Sequence, residues 1–375
     1  MKVTVQQQQL AQGLGIVSRA VANRSTLPVL SNILVATDEG RLRLSATNLE
    51  LGISCWVPAQ VKEEGSITLP NRTFVDLVNA LLPEALELSL NARTQTVTVN
   101  SMTNTTDIKG IDAQEFPPMP VADHNDGLAF KAKDFKKIIS QVVFAASTDD
   151  ARPVLQGVLF EVNGTELTLA ATDGFRVSVR KAQLEKEAAA PIKVIIPGRA
   201  LAELSRIIPE SDDTLIMNLP ASRGQVIFRL PNVEVVSQLI DGTFPDYKSI
   251  LPRSSKTKTV VSTSGLLKAC KQTEIFARDN HNVVRMNIVA QGEEPGVVEV
   301  NAQSEETGTG DSKLEASIDG TSLLIAFNVR FLIDVLNVVD TPSVMLETNQ
   351  ANSQAVLRPM GDDDFIHVLM PMHLG

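Results

Sequence analysis

Three copies of one α+β unit, each with two helices packed on antiparallel sheets, is the fold class this sequence predicts, and three observations predict it. Leu27-Pro28-Val29-Leu30 recurs as Arg152-Pro153-Val154-Leu155, and Ala46-Thr47-Asn48 recurs as Ala171-Thr172-Asp173, both at an offset of 125 residues. The helical segments NRTFVDLVNALL, GRALAELSRII and NVRFLIDVLNV align without gaps and put Arg72, Arg199 and Arg330 in one slot. Between such segments, apolar and polar residues alternate in runs bounded by Gly and Asn, the period of half-buried strands. A chain of 375 residues exceeds what one core supports, so two or three domains are expected. A period of 125 to 130 residues is far too long for a solenoid.

In the first copy, the segment from Gln6 places Leu10, Leu14, Val17 and Val21 at helical spacing, with a helix expected over 6–20. Residues 26–57 alternate like paired strands, with a turn at Asp38-Glu39-Gly40. A second helix over 71–82 puts Phe74, Leu77, Val78 and Leu81 on one face. The copy ends at Phe116-Pro117-Pro118-Met119-Pro120, which cannot continue a sheet. The second copy opens on a helix over 131–146 with Phe135, Ile138, Ile139 and Val142 inside and four lysines outside. Its strands Arg152 to Lys181 turn at Asn163-Gly164 and again at the polar corner Thr172-Asp173-Gly174, and its second helix covers 198–208. The third copy is fainter, with helices over 264–278 and 328–338 and a strand at Val283 to Ile288 in place of the Val-Leu segment. The expected domains are residues 1–122, 128–252 and 257–375.

Composition narrows the function classes. Two cysteines, Cys55 and Cys270, far apart in sequence, give neither a disulfide framework nor a zinc spacing and suit a reducing compartment. No apolar stretch has the length of a membrane span or the form of a leader, so a cytoplasmic protein without membrane partners is expected. The net charge of −10 is unevenly spread. The six helical segments carry 12 Lys+Arg against 5 Asp+Glu, whereas the remainder carries 22 against 39. A charged helix face is usually only solvated, but six duplicated helices with a net positive sum make a surface suited to phosphate contacts that read no bases. Aromatic residues are only 4% of the chain, which disfavours base stacking on single strands and points to duplex backbone.

Catalytic and metal motifs are absent from the sequence. His124, His281, His367 and His373 lie in unrelated contexts and are expected at the surface or at a pocket rim. Asp362-Asp363-Asp364 is expected to be a solvated loop, as are Asp149-Asp150 and Asp212-Asp213. No nucleotide-binding glycine loop occurs, and no cofactor, metal or catalytic residue is expected.

The threefold duplication, the Thr-Leu-Pro-Val-Leu and Arg-Pro-Val-Leu segments read as strands, Ala-Thr-Asp-Gly-Phe-Arg, Phe244 to Tyr247 and the terminal Val-Leu-Met-Pro-Met-His-Leu resemble the bacterial DNA polymerase sliding clamp family, the replicase beta subunits. The resemblance covers essentially the whole chain. It implies a non-catalytic processivity factor with the DNA clamp fold, a head-to-tail homodimer closing a ring around duplex DNA. It also implies a peptide cleft for polymerase subunits, clamp loader and repair proteins. Carried over as DNA contacts are Arg24, Arg72, Thr148, Asp149, Arg199 and Arg206. The peptide pocket maps to Arg152, Leu155, Thr172, Gly174, Phe175, Arg176, Val177, Pro245, Ile250, Val368, Met370, Pro371 and Met372. Phe175 replaces a His common in the family, and His373 and Gly375 replace its usual ending. The dimer contacts map to Thr106 and Ile108 on one side and Ile275 and Phe276 on the other; a large aromatic on a charged helix also fits a core position. Two rivals remain: a peptide-binding scaffold that never encircles DNA, and an enzyme acting on nucleic acid through its acidic loops.

Overall fold

The computed structural model describes residues 1–22, 25–120, 127–220, 224–292 and 294–373. Among them six α-helices form: α1 Gln7–Val17, α2 Asn71–Ala80, α3 Ala132–Val143, α4 Gly198–Ile207, α5 Thr263–Ala277 and α6 Val329–Leu336. Each sits where the apolar spacing requires it. α1 buries Leu10, Leu14 and Val17 along one stripe, and α2 buries Phe74 and Val78. Ser262 Oγ accepts the Gly265 N–H at 3.2 Å and Asn328 Oδ1 accepts the Arg330 N–H at 3.0 Å, capping α5 and α6.

One expectation about the strands needs correction. The Leu-Pro-Val-Leu and Arg-Pro-Val-Leu segments, expected as strands, contain 3-10 turns at Pro28–Ser31 and Pro153–Gln156. Proline at the first position presets φ and has no N–H to place, which favours a helical start over a ladder. The strands begin immediately afterwards, at Asn32 and Gly157.

The chain packs as two compact units, residues 1–134 with 203–239 and residues 135–202 with 240–375. The middle repeat therefore contributes to both. In the first unit a five-stranded sheet runs in the order Gln60–Glu63, Lys2–Gln6, Ala85–Asn91, Thr96–Asn100, Thr105–Lys109, with the last strand at its edge. An eight-stranded sheet runs Leu128–Lys131, Thr214–Asn218, Gln225–Leu230, Val233–Gln238, Leu51–Val57, Arg41–Thr47, Asn32–Asp38, Ser66–Pro70. Its fourth and fifth strands belong to different repeats, and this antiparallel pairing is the first seam, with Val236 opposite Gly52. α1 packs on Arg41–Thr47 and Leu51–Val57 and against α2.

The second unit holds a twelve-stranded sheet. At its second seam Arg176–Gln183 pairs antiparallel with Phe365–Leu369, placing Val177 opposite Val368 and Arg176 opposite Leu369. Farther along, Gly308–Asp319 pairs with Glu294–Ser304 through residues 308–316, but with Thr257–Ser262 only through 317–319. α5 lies on Gly308–Asp319 and Glu294–Ser304 and packs against α6.

Candidate functional site

The corner Thr172 to Phe175 turns the strand Glu166–Thr172 into Arg176–Gln183, and its polar side chains build the turn. Thr172 Oγ1 donates to the Arg176 carbonyl at 2.7 Å and accepts the Gly174 N–H at 3.0 Å. Asp173 Oδ1 accepts the N–H groups of Phe175 at 2.9 Å and Arg176 at 3.1 Å. Gly174 sits at φ +94, where a side chain would be strained. The turn throws Phe175 outward, 61% exposed.

Beyond the corner, the strand's two-residue period divides the work. Val177 and Val179 face an apolar cluster with Val368, Val356, Phe244 and Tyr247, flanked by half-buried Val154, Ile240, Ile250, Leu251 and Ile366. Arg176 projects the other way. Its Nε donates to Asp173 at 3.0 Å, Nη1 to Asp334 of α6 at 2.6 Å and Nη2 to the Phe144 carbonyl at 2.8 Å. The guanidinium also lies 4.3 Å from the Phe331 ring centroid. Arg176 thus braces the corner from behind.

The expected pocket residues Val177, Val368 and Ile250 are brought into one cluster. The Met370 N–H donates to the Phe175 carbonyl of the corner at 2.9 Å, and the Met372 N–H to the Ala326 carbonyl of the strand Leu323–Asn328 at 2.8 Å. Met370 stays 40% exposed beside Phe175. Pro371 and Met372 are half-buried, and Pro245 is exposed on the strap 240–251. Leu155 donates its N–H to the Arg152 carbonyl at 3.0 Å, and Arg152 Nη1 lies within 3.2 Å of where a Cβ on Gly174 would stand. Arg152 also donates to Asp149 at 3.1 Å. The Ala151 N–H, then Arg152, hold the Asp149 carboxyl below its usual range. Phe244 and Tyr247, which the sequence offered only as a motif, join that cluster, and burial pushes the Tyr247 hydroxyl up to about 12.

Of the described residues expected on DNA, Arg72 and Arg199 open helices, Arg206 stands in the last turn of α4, and Thr148 and Asp149 are in a loop. Arg72 is almost fully exposed and 3.8 Å from Asp76, and Arg199 and Thr148 are exposed. Arg206 pairs with Glu203 at 2.7 Å, and the same carboxylate meets Arg19 at 3.0 Å. Glu274 of α5 likewise lies between Arg278 and Arg330, at 3.9 and 3.6 Å. Each of these acids is outnumbered by arginines, so the clusters keep net positive charge. Arg24 and His124 lie outside the described residues.

Of the expected dimer residues, Ile275 is 55% exposed, whereas Ile108 is buried in its own unit. Thr106 is half-exposed. Phe276 is half-buried, packed on the core and against Gly310.

The histidines are not all peripheral as expected. His367 is fully buried beside Phe144, and its Nδ1 shares a 2.8 Å hydrogen bond with Ser178 Oγ across the second seam. The two-residue period of Phe365–Leu369 turns it away from the Val177 and Val368 cluster, and burial, then Arg176, pushes its pKa down to about 3. Asp362, expected to be solvated, is half-buried and pairs with Arg180. Burial pushes the thiols of Cys55 and Cys270 up to about 11 and about 12. Among the described residues no three His, Cys, Asp or Glu are grouped to hold a metal, and no helix is long and apolar enough to cross a membrane.

The first seam repeats the corner bond for bond. Thr47 Oγ1 donates to the Leu51 carbonyl at 3.1 Å and accepts the Leu49 N–H at 3.0 Å. Asn48 Oδ1 accepts the N–H groups of Glu50 at 3.0 Å and Leu51 at 2.8 Å. Leu49 takes φ +76 where Gly174 takes φ +94, and the Gln238 N–H meets the Glu50 carbonyl at 2.9 Å.

Comparison with known proteins matches three parts of the chain to the DNA polymerase III beta subunit: its N-terminal domain over 1–120, central domain over 129–246 and C-terminal domain over 248–373. The chain is 31% identical to a beta sliding clamp of Staphylococcus epidermidis over 381 aligned positions, covering 99% of each chain. It is 32% identical to that of Halalkalibacterium halodurans, covering 96% of each. Among solved structures, the Bacillus subtilis DNA polymerase sliding clamp superposes with a TM-score of 0.92 at 28% identity, and a Pseudomonas aeruginosa sliding clamp bound to griselimycin with 0.91 at 28%, each over 100% of both chains.

Proposed function

Because this chain belongs to the DNA polymerase III beta subunit family, the beta sliding clamps, we propose that two copies close head to tail into a ring around duplex DNA and tether the replicative polymerase to it. The observation that carries this reading is a pair of unfinished edges. Within the chain, each seam joins the strand after a polar corner to a strand from the following repeat. The third repeat has the strand after its corner, Gly308–Asp319, where Ser304 Oγ accepts the N–H groups of Glu306 and Thr307 at 3.2 and 3.1 Å. Over residues 308–316 that strand has one described partner. The first repeat has the complementary edge, Thr105–Lys109. Open edges invite pairing, and joining these two between copies makes a heterologous contact that closes once two chains are present. Ile275, exposed on the helix that covers Gly308–Asp319, supplies apolar surface at that contact, with Phe276 and Thr106 beside it and Ile108 behind the edge strand.

A ring holds DNA by topology, so its contacts can be weak. Arg24, Arg72, Arg199 and Arg206 neutralise phosphates without reading bases, and Thr148 and Asp149 line the same passage. Sliding then depends on salt through counterion release. The second-seam cleft takes short peptides of polymerase subunits, clamp loader and repair proteins. Val177, Val368 and Ile250 receive an apolar anchor, while Met370 and Phe175 form the mouth and Arg152, Leu155, Thr172, Gly174, Pro245, Pro371 and Met372 the rim; Arg176 braces it. Griselimycin binding by the Pseudomonas aeruginosa relative supports a ligand site on this fold. The chain itself carries out no chemistry, and its work is in the cytoplasm.

Retention on circular DNA tests the ring. Loaded onto a nicked circle, the protein should remain through gel filtration and leave once the circle is linearised. Equal escape from both forms would show that it does not encircle DNA.

A further inference from the structure

The first seam repeats the construction of the cleft and fills it from within. Its strap reaches the sheet through Phe116, 7% exposed, as the second strap does through Phe244, 6% exposed, and a proline follows each aromatic. The seams then diverge. Gly52 stands where the second seam has Val177, each opposite a valine of the partner strand. A Cβ on Gly52 would lie 2.5 Å from Met119 Cε and 3.1 Å from its Sδ. The missing side chain is therefore what lets the thioether reach the strand. A pocket of about 170 Å³ remains beside it, lined by Thr47, Leu49, Pro118, Gln225 and Gln238 among others.

From this we propose that the first seam is a second, latent peptide site, occupied in cis by Met119, which accepts a short proline-flanked peptide with one unbranched apolar anchor when Met119 is displaced. The occupant is argued from the segment already seated there, Pro117-Pro118-Met119-Pro120. Methionine is unbranched and deformable, so it leaves such a seat without breaking the sheet around it. The mouth also differs in chemistry. Glu50 and Gln238 stand where the second seam presents Phe175 and Met370, so an aromatic anchor that suits the second seam finds a polar rim at the first. The inference rests on the second seam being a peptide cleft.

The test uses the full chain and a synthetic peptide, Phe-Pro-Pro-Met-Pro, carrying a photoreactive diazirine at the methionine position. In Met119→Ala the probe should label residues 47–52 or 225–238, with affinity there about tenfold above wild type. No first-seam labelling in that variant would overturn the proposal. Labelling of 154–177 or 366–370 is scored separately in wild type, and its absence counts against the second-seam cleft alone. Gly52→Ala gives an independent reading if Met119→Ala folds poorly. The new methyl pushes only the flexible tip of Met119, and peroxide should then oxidise Met119 about tenfold faster than in wild type. An unchanged oxidation rate would show that Gly52 does not seat the thioether and would overturn the proposal.

Discussion

At the first seam Gly52, Ile53 and Leu51 meet Val236, Val235 and Ser237; at the second Val177, Ser178 and Arg176 meet Val368, His367 and Leu369. The corner before each seam makes the same four side-chain hydrogen bonds. One backbone therefore carries two interiors. The first seam pairs Ile53 with Val235, where the second has Ser178 and His367, and lets Met119 down onto a glycine. The second is braced behind by a buried arginine and a histidine, and keeps apolar Phe175 and Met370 exposed. What duplication preserved is the turn chemistry that sets the register, and what diverged is the side chains that decide what can be seated there.

The largest expected effect comes from erasing the brace. Arg176→Leu gives the second seam the first seam's residue but leaves Asp173 and Asp334 without their cation, and should lower stability by about 3 kcal/mol in urea unfolding. A loss below about 0.5 kcal/mol would mean that the bracket does not hold the corner. Next comes His367, whose counterpart at the first seam is Val235. Held neutral by burial, it takes a proton less readily folded than unfolded, so stability is lost as pH falls from 6.5 toward about 3. The slope is about 1.4 kcal/mol per pH unit. His367→Gln keeps a partner for Ser178 but should flatten that slope between pH 6.5 and 5, and an identical pH profile would contradict the assignment. The smallest effect concerns the corners. Leu49→Gly relieves a left-handed residue and should stabilise by up to about 1 kcal/mol, whereas Gly174→Leu should cost about 1 to 2 kcal/mol. Responses of opposite sign would sharpen the equivalence of the corners; a destabilising Leu49→Gly would break it.

Much of this was legible in the sequence. The helices followed from apolar spacing, and the offset of 125 residues carried through to hydrogen bonds, because Thr and Asn or Asp at a corner satisfy the turn locally. The Pro-Val-Leu segments misled, since a proline start favours a 3-10 turn over the strand that their apolar residues suggested. Both seams pair strands more than 175 residues apart, and alternation says which face a residue takes but not which strand lies beside it. That is also why His367 and Arg176 could not be placed: their surroundings come from residues distant in sequence. Met119 carried a faint signal, the recurrence of Phe-Pro at 116 and 244, but its seat depends on Gly52, whose role is visible only in three dimensions.

Sedimentation equilibrium of the full chain tests most directly whether a third kind of seam forms between copies. Two unfinished edges that complete each other predict a species of twice the chain mass. They also predict that Ile275→Asp, altering a residue already exposed in the single chain, yields folded monomer. A chain that remains monomeric at every concentration reached, or a dimer indifferent to Ile275→Asp, would contradict closure through these edges.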